Sequence, residues 1–268
     1  MPELPEVEAA RRSLERAIRG KVIASVEVRS PAVVRTHRPR AFVSRLGGKR
    51  IERIARRGKV LLFHLRDGWT LIFHFKLWGT LRFFRPAVPP DPQTAVVMTF
   101  SDGSGLQFRE LQLSELGLHR TSQLDRVPYL TSLGVDPLSA AFTPASFRRM
   151  LSGSGSIRAV LTDQERIAGI GNLWAHEILH TARIRPDRPA SSLTNAEVQV
   201  LYRTVRSVLR RAITAGGEPE FVDATGRKGR WRLAVYGRGG QRCPRGDGTI
   251  KVTRLGGRPS FYCPKCQR

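Results

Sequence analysis

The chain has 268 residues, 40% of them hydrophobic, and can therefore bury one large core or two ordinary ones. Its 46 Lys and Arg residues outnumber 22 Asp and Glu residues, and the net charge of +24 attracts polyanions, above all nucleic acids. No apolar run approaches the roughly 20 residues that cross a bilayer, and the acidic N-terminus is unlike a signal peptide. We therefore predict a cytoplasmic nucleic-acid-binding protein, with a ribosomal-type or a peripheral membrane protein as the alternatives that charge alone leaves open.

An amphipathic helix is predicted near the N-terminus, from Pro5 to about Arg19. Val7, Leu14 and Ile18 recur there at helical spacing, with charged residues on the opposite side. Proline and acidic residues in the first turn are also ordinary ways to begin a helix, so this turn has a purely structural explanation.

The same first turn offers a nucleophile. Removal of Met1 would expose the secondary amine of Pro2, and an α-amino group with a reference pKa of about 8 is partly neutral at neutral pH. Such an amine can attack C1′ of a deoxyribose, and the resulting iminium acidifies the 2′ hydrogens and permits loss of the 3′ phosphate. Glu3 can act as a general acid toward the ring oxygen, while Glu6 holds a proton or a water. We predict these three residues as catalytic, with an ordinary helix start as the alternative.

A β-rich region is predicted from Lys21 to about Phe108. Short runs of β-branched and aromatic residues alternate there with turn-prone segments, and they occupy residues 21–28, 59–65, 69–75, 80–84 and 95–100. This pattern is typical of an antiparallel sandwich or barrel preceded by a helix.

A helical region follows after a stretch that is rich in turn residues. Its predicted helices lie in TPASFRRMLS, SIRAVLTDQ, NLWAHEILHTARI and LTNAEVQVLYRTVRSVLRRAITAGG. The three cysteines come last and are typical of a two-stranded ribbon around a metal. We predict an α+β chain made of a catalytic β-sandwich domain (1–128), a linker (129–142), a helical domain (143–236) and a C-terminal zinc-finger-like hairpin (237–268).

One short motif favours another class of protein. His176, Glu177 and His180 match the HExxH pattern of zinc proteases. No third ligand is evident, and a protease would leave both the charge and the N-terminal segment unexplained. We interpret the motif as part of a helix.

The N-terminal segment MPELPEVE resembles the signature of the formamidopyrimidine-DNA glycosylases almost letter for letter, whereas the related endonuclease VIII enzymes usually have Gly in place of Leu4. The resemblance continues through RRGKVLLF, LTDQERIAGIGNLWAHEIL, AVYGR and the Cys-rich hairpin, over nearly the whole chain. It implies an N-terminal helix and antiparallel β-sandwich, a helix–two-turn–helix domain and a C-terminal β-hairpin. It also implies a DNA glycosylase and AP lyase of base excision repair, which removes oxidised or ring-opened purines through a Schiff base on Pro2 and β,δ-elimination.

The resemblance implies a role for five further residues. Lys59 would complete the catalytic set by contacting a DNA phosphate. Gly169 and Gly171 would let the backbone approach DNA, and Asn172 would cap the next helix and grip a phosphate. Arg258 would clamp the phosphates that flank the lesion. Any one of them alone is equally compatible with an ordinary turn or surface residue.

The predicted finger departs from the family pattern of two C-x2-C pairs. Its first pair is incomplete, because Gly246 stands where a second cysteine is expected after Cys243. Zinc would therefore be held by Cys243, Cys263 and Cys266, with Asp247 as a substitute fourth ligand, or the ribbon would fold without metal.

The residues that probe the duplex depart as well. Leu77 stands in for the family's Met, and FRELQLSELG lacks the Arg-Phe pair that is expected before Gly117. The loop that covers a flipped purine is altered to GGEPEFVDATGRKGRW, which weakens an assignment of 8-oxoguanine. We expect weak discrimination of the opposite base and better action on single-stranded or distorted DNA.

The predicted partner is damaged DNA, bound by a monomer that does not associate with membranes and lies with the nucleoid of a bacterial cytoplasm. The competing hypothesis is a non-catalytic protein that keeps the glycosylase fold and binds damaged DNA. Pro2, Glu3 and Glu6 favour the enzyme, because affinity for DNA would not require them.

Overall fold

The computed structural model describes residues 2–76, 79–109, 115–153, 155–246 and 248–268. The chain forms two compact units, of which the first comprises Met1–Thr131 and Pro219–Gly229, and the second comprises Ser132–Glu218 and Arg230–Arg268. Within the described ranges, no helix is long and apolar enough to cross a membrane. The four-part division drawn from the sequence stays a prediction.

The first unit consists of an N-terminal helix and two antiparallel sheets. Its helices are α1 (Leu4–Ile18), α2 (Pro39–Leu46) and α3 (Pro128–Thr131). Its strands are β1 (Ile23–Val28), β2 (Ile51–Arg57), β3 (Val60–Leu65), β4 (Trp69–His74), β5 (Thr80–Phe84), β6 (Thr94–Phe100), β7 (Gly105–Arg109) and β8 (Glu115–Arg120). One sheet has the order β1-β6-β7-β5 and the other β2-β3-β4-β8.

The sequence predicts β1, β3, β4, β5 and β6 but not β2, β7, β8 or α2. Strand β2 escapes prediction because Glu52 and Arg53 lie exposed between the buried Ile51 and Ile54, so its alternation is broken by two consecutive charged residues. Strand β2 nevertheless pairs with β3 along its length, from Ile51 to Arg57.

The large apolar core of the first unit joins α1, α2, both sheets and Pro219–Gly229, which we call the late segment. Val7, Leu14 and Ile18 are fully buried in it, as their helical spacing predicts. Phe221 and Ala224 enter the same core from the late segment. The late segment is therefore an integral part of the first unit.

The second unit is helical and ends in a hairpin. Its elements are α4 (Pro144–Met150), α5 (Ile157–Thr162), α6 (Asn172–Ala182), α7 (Asn195–Thr214), β9 (Lys251–Leu255) and β10 (Arg258–Tyr262). Helices α5 and α6, with the turns that connect them, form the helix–two-turn–helix element. The predicted fold class is confirmed: an N-terminal helix, antiparallel sheets, a helical region and a C-terminal β-hairpin.

Candidate active site and metal centre

Both acidic residues of the predicted catalytic group are buried at the start of α1. Glu3 is the N-cap of the helix and is 6% exposed, and Glu6 is 2% exposed. The backbone N–H of Glu3 donates to Glu6 Oε2 at 3.0 Å, within a reciprocal capping box. Half-buried Pro2 directly precedes this cap, whereas Met1 lies outside the described residues. The helix start and the predicted chemistry thus use the same residues.

Lys59 belongs to a cluster of cations around His74. It lies half-buried in the turn between β2 and β3. Burial and the charges of Lys76 and Lys59 lower the pKa of His74 to about 3, so its imidazole is neutral. His74 Nδ1 accepts a hydrogen bond from the backbone N–H of Lys76 at 2.8 Å. The sequence predicts no role for His74 or Lys76, and the predicted Leu77 lies outside the described residues.

The turn before α6 is organised by Gln164. Gly169 has a φ of +100°, a conformation that favours glycine, and its N–H donates to Gln164 Oε1 at 2.9 Å. Gln164 Nε2 donates to the carbonyl oxygens of Ile170 and Thr162 at 2.7 and 2.8 Å. The sequence predicts no role for Gln164, although a glutamine side chain in a predicted turn is the signal that could have identified it.

The N-cap of α6 is Gly171, which corrects the prediction that Asn172 caps this helix. Asn172 is the first helical residue, and its side chain bonds elsewhere. Its Oδ1 accepts from the guanidinium of Arg158 at 3.1 Å, and its Nδ2 donates to the carbonyl oxygen of Pro259 at 3.3 Å. The asparagine therefore links α6 to the hairpin.

Arg158 makes a second link to the hairpin. It is 6% exposed, and its guanidinium donates to the carbonyl oxygen of Leu255 at 2.7 Å. Burial and the nearby charge of Arg258 lower the pKa of Arg158. Arg258 itself is exposed and begins β10. Two predicted phosphate-binding residues, Asn172 and Arg258, thus lie at the same end of the second unit.

The three cysteines are buried together in the finger, a name we use for residues 237–268. The Sγ atoms of Cys243 and Cys266 lie 3.9 Å apart, and the thiol of Cys263 is within hydrogen-bonding reach of both. Although burial acts in the opposite direction, backbone N–H groups of Cys266 and Lys265 hold the pKa of Cys263 below its ordinary value. Thiolates are soft donors that suit zinc, and Cys243 and Cys266 belong to a buried group of residues that can hold a metal ion. Asp247 lies outside the described residues.

A histidine from α6 faces these thiols. His180 is 3% exposed, and its Nε2 lies 3.4 Å from Cys243 Sγ. Ligand atoms of His180, Cys243 and Cys266 all lie within 4.8 Å of one another. The HEILH pattern draws attention to His180 but predicts none of these neighbours, because the cysteines lie much later in the chain.

The rest of the HEILH motif also fastens α6 to the finger and the segment before it. His176 Nδ1 donates to the carbonyl oxygen of Asn172 at 2.5 Å, and Nε2 accepts from the Ser260 hydroxyl at 2.9 Å. The carboxylate of Glu177 accepts hydrogen bonds from Trp231 Nε1 and from three consecutive backbone N–H groups, those of Ala234, Val235 and Tyr236.

The N-terminal part of the chain and its helical part each match a DNA glycosylase domain, which defines the class of protein. Two family models match the chain: the formamidopyrimidine-DNA glycosylase N-terminal domain over residues 1–113, and the formamidopyrimidine-DNA glycosylase H2TH domain over residues 133–221. The chain therefore belongs to the formamidopyrimidine-DNA glycosylase family, as its sequence predicts, and is an enzyme of DNA repair in a family that has AP lyase activity.

Similar proteins span the whole chain. A formamidopyrimidine-DNA glycosylase of Pelotomaculum thermopropionicum is 39% identical and is matched over 100% of this chain and 99% of the relative. The Lactococcus lactis Fpg protein in complex with DNA containing an abasic site has a TM-score of 0.92 and 31% identity, with 99% of both chains covered. The same protein with N7-benzyl-Fapy-dG DNA has a TM-score of 0.91 and 32% identity over 100% of both chains.

Proposed function

We propose that this DNA glycosylase removes a damaged base and then cleaves the strand, with the Pro2 amine as the nucleophile of both steps. Two buried carboxylates support this most directly. Glu3 directly follows Pro2, and the carboxylate of Glu6 accepts the backbone N–H of Glu3. Two carboxyl groups held in this way can deliver and accept protons at a reacting sugar.

The proposed sequence of steps begins with a neutral Pro2 nitrogen after Met1 has been removed. It attacks C1′ as the base departs with the electrons of the glycosidic bond, and the proton of the resulting ammonium passes to the departing base. Glu3 protonates the ring oxygen, the bond from this oxygen to C1′ breaks, and the sugar opens to an iminium. The Glu3 carboxylate then takes a 2′ proton and the 3′ phosphate leaves, a second elimination expels the 5′ phosphate, and water hydrolyses the iminium to release Pro2. Glu6 holds the chain at Glu3 by accepting its backbone N–H.

We propose damaged DNA as the substrate, with oxidised or ring-opened purines as the bases removed from nucleoid DNA by a monomer. The Lactococcus lactis relative was solved with Fapy-type DNA, which supports this lesion class. Lys59, Asn172 and Arg258 would contact phosphates. Gly169 and Gly171 would let the DNA strand approach the turn before α6, and Leu77 would fill the space left by the flipped nucleotide. The hydrogen bonds that fix Gly169 and Asn172 in place support the roles of the turn and of Asn172.

We also propose that the metal of the finger is zinc and that Cys243, Cys263 and Cys266 bind it. Three buried thiols are the donor set that zinc prefers in structural sites. Its role would be to hold the two ends of the finger together, because a ribbon this small buries little apolar surface.

Borohydride trapping on an oligonucleotide with one abasic site tests the nucleophile. We expect one covalent complex per chain, mapped by peptide mass spectrometry to Pro2, and a chain mass that lacks Met1. Pro2→Gly should lose most of the trapped product, while Lys59→Ala, which keeps the amine, should still trap at saturating protein. Cross-linking that maps to a lysine, or full trapping in Pro2→Gly, would contradict the assignment.

A further inference from the structure

We infer that His180 is the fourth zinc ligand, in place of the thiolate that Gly246 cannot supply. Its Nε2 lies 3.4 Å from Cys243 Sγ, and this sulfur lies 3.9 Å from Cys266 Sγ. In a tetrahedral site with bonds of about 2.3 Å to sulfur and 2.0 Å to nitrogen, neighbouring sulfurs are about 3.8 Å apart and sulfur and nitrogen about 3.5 Å apart. The observed separations therefore match ligands around one ion.

The chemistry of the donors agrees with this geometry. Three thiolates and one imidazole form a Cys3His set, one of the compositions that structural zinc sites use. His180 is 3% exposed, so its imidazole faces the thiols away from solvent. This inference rests on the proposal that the finger binds zinc, and it makes the carboxylate of Asp247 unnecessary for completing the site.

The position of His180 gives the ion a second task. Three ligands belong to the finger, but His180 belongs to α6, the helix that begins with Asn172. Zinc bound by all four would cross-link α6 to the finger, which carries Arg258. It would thereby reinforce the Arg158 and Asn172 links that already join these elements. Loss of the ion would loosen the relative placement of two predicted phosphate-binding residues and leave the first turn of α1 unchanged.

Metal content tests the assignment without relying on activity. Purified wild-type chain and the variants His180→Ala, His180→Cys, Asp247→Ala and His176→Gln are dialysed against a chelator of graded concentration, and zinc per chain is measured by mass spectrometry. We expect one zinc per wild-type chain and a loss of at least about 100-fold in zinc affinity in His180→Ala. Asp247→Ala and His176→Gln should retain the wild-type affinity.

Cobalt substitution counts the ligands directly. The wild-type cobalt spectrum should be that of a four-coordinate site with three thiolates, and His180→Cys should gain about one third in thiolate-to-cobalt absorption, in proportion to a fourth sulfur. This second variant keeps the test decisive if His180→Ala folds poorly. Unchanged zinc affinity in His180→Ala, an unchanged thiolate absorption in His180→Cys, or a loss in Asp247→Ala as large as that in His180→Ala would overturn the assignment.

DNA binding and trapping separate this inference from the catalytic proposal. In His180→Ala we expect weaker binding to lesion DNA, while borohydride trapping at saturating protein still maps to Pro2. If trapping fails in the wild type while the metal results hold, the Pro2 proposal fails and the His180 assignment stands. If the wild type binds no zinc at all, the assignment fails together with the zinc proposal, whatever trapping gives.

Discussion

Helices α1 and α6 both carry residues with predicted functions, but their side chains are held in place in different ways. In α1, Glu3 and Glu6 are three residues apart, and the side chain of each accepts a hydrogen bond from the backbone N–H of the other. In α6, Glu177 accepts hydrogen bonds from the chain at residues 231–236, and His176 bonds Ser260. A site of the first kind forms with its helix, whereas a site of the second kind exists only when the whole unit has folded.

The largest effect is expected at the locally built site. Glu3→Gln keeps an oxygen that can cap α1 but removes the acid, so the single-turnover rate of base excision should fall by about 10²- to 10⁴-fold. DNA affinity should stay within about twofold, because no phosphate contact is removed. The exposed Glu27→Gln serves as the matched control. An excision rate in Glu3→Gln that equals the control would show that the capping box serves structure alone.

The second effect tests the long-range construction of α6. Glu177→Ala should lower the free energy of unfolding by about 3 kcal/mol, because it leaves the buried N–H of Val235 and the partly buried N–H groups of Ala234 and Tyr236 without their acceptor. Urea unfolding followed by tryptophan fluorescence measures this, since Trp174 and Trp231 belong to the same unit and their ring centroids lie 5.2 Å apart. The exposed Glu165→Ala is the control. Equal midpoints for the two variants would mean that the Glu177 bonds are dispensable.

A third effect concerns pH and involves one histidine in each unit. Burial first, and then nearby cations, lower the pKa of His74 to about 3 and that of His176 to about 4. Between pH 6.5 and these values the unfolded chain binds more protons than the folded chain, so stability falls as pH falls. From pH 7.5 to 5, each histidine should remove on the order of 2 kcal/mol from the free energy of unfolding.

Urea titrations at both pH values measure this loss. The pKa of Glu197 is lowered to about 2 by Arg188, so that carboxylate loses its contribution only below about pH 4.5 and does not affect this window. The pKa values of His64, His119 and His37 are also lowered by burial, so these residues add to the loss. His176→Gln should remove only the His176 part, on the order of 2 kcal/mol, and leave the part that the other histidines contribute. A variant as pH-sensitive as the wild type would assign the loss to other groups.

The smallest effect is expected at the C-terminal ends of α1 and α6. Helix α6 ends at Arg183 with a φ of +61°, whereas α1 ends at Arg19 with a φ of −58°. Arg183→Gly should therefore raise the free energy of unfolding by about 0.5–1 kcal/mol, because glycine adopts the left-handed conformation without a steric penalty. Arg19→Gly, also at an exposed helix end, should give no gain. Equal effects of the two substitutions would contradict this reasoning.

The contrast between the local contacts of α1 and the long-range contacts of α6 also explains which features of the fold and the site can be predicted from the sequence. Helix α1 is predicted to within one residue at each end, because buried side chains at helical spacing mark it and Glu3 and Glu6 lie together in the sequence. Most strands are predicted for the same local reason. The role of His180 could not be predicted, because the pattern HEILH contains nothing about the thiols that fold against it from the finger.

The roles of other residues could not be predicted, because their hydrogen-bond partners are distant in the sequence. Arg158 is one Arg among many until it is seen to donate to Asn172 and to Leu255. Asn172 is a good N-cap residue by propensity, but its bonds to Arg158 and Pro259 leave Gly171 at the cap. Tertiary contacts here override the local preference.

The late segment, Pro219–Gly229, has a consequence for how the protein is made. The first unit lacks Phe221 and Ala224, and the bond from the Phe83 N–H to the Ala224 carbonyl at 2.7 Å, until this segment has left the ribosome. All of residues 132–218 are synthesised before it, which at about 5–20 residues per second delays completion by roughly 4–20 s. The nascent β-sandwich must therefore wait with part of its apolar core uncovered, and chaperones that bind exposed apolar surface have their opportunity during this interval.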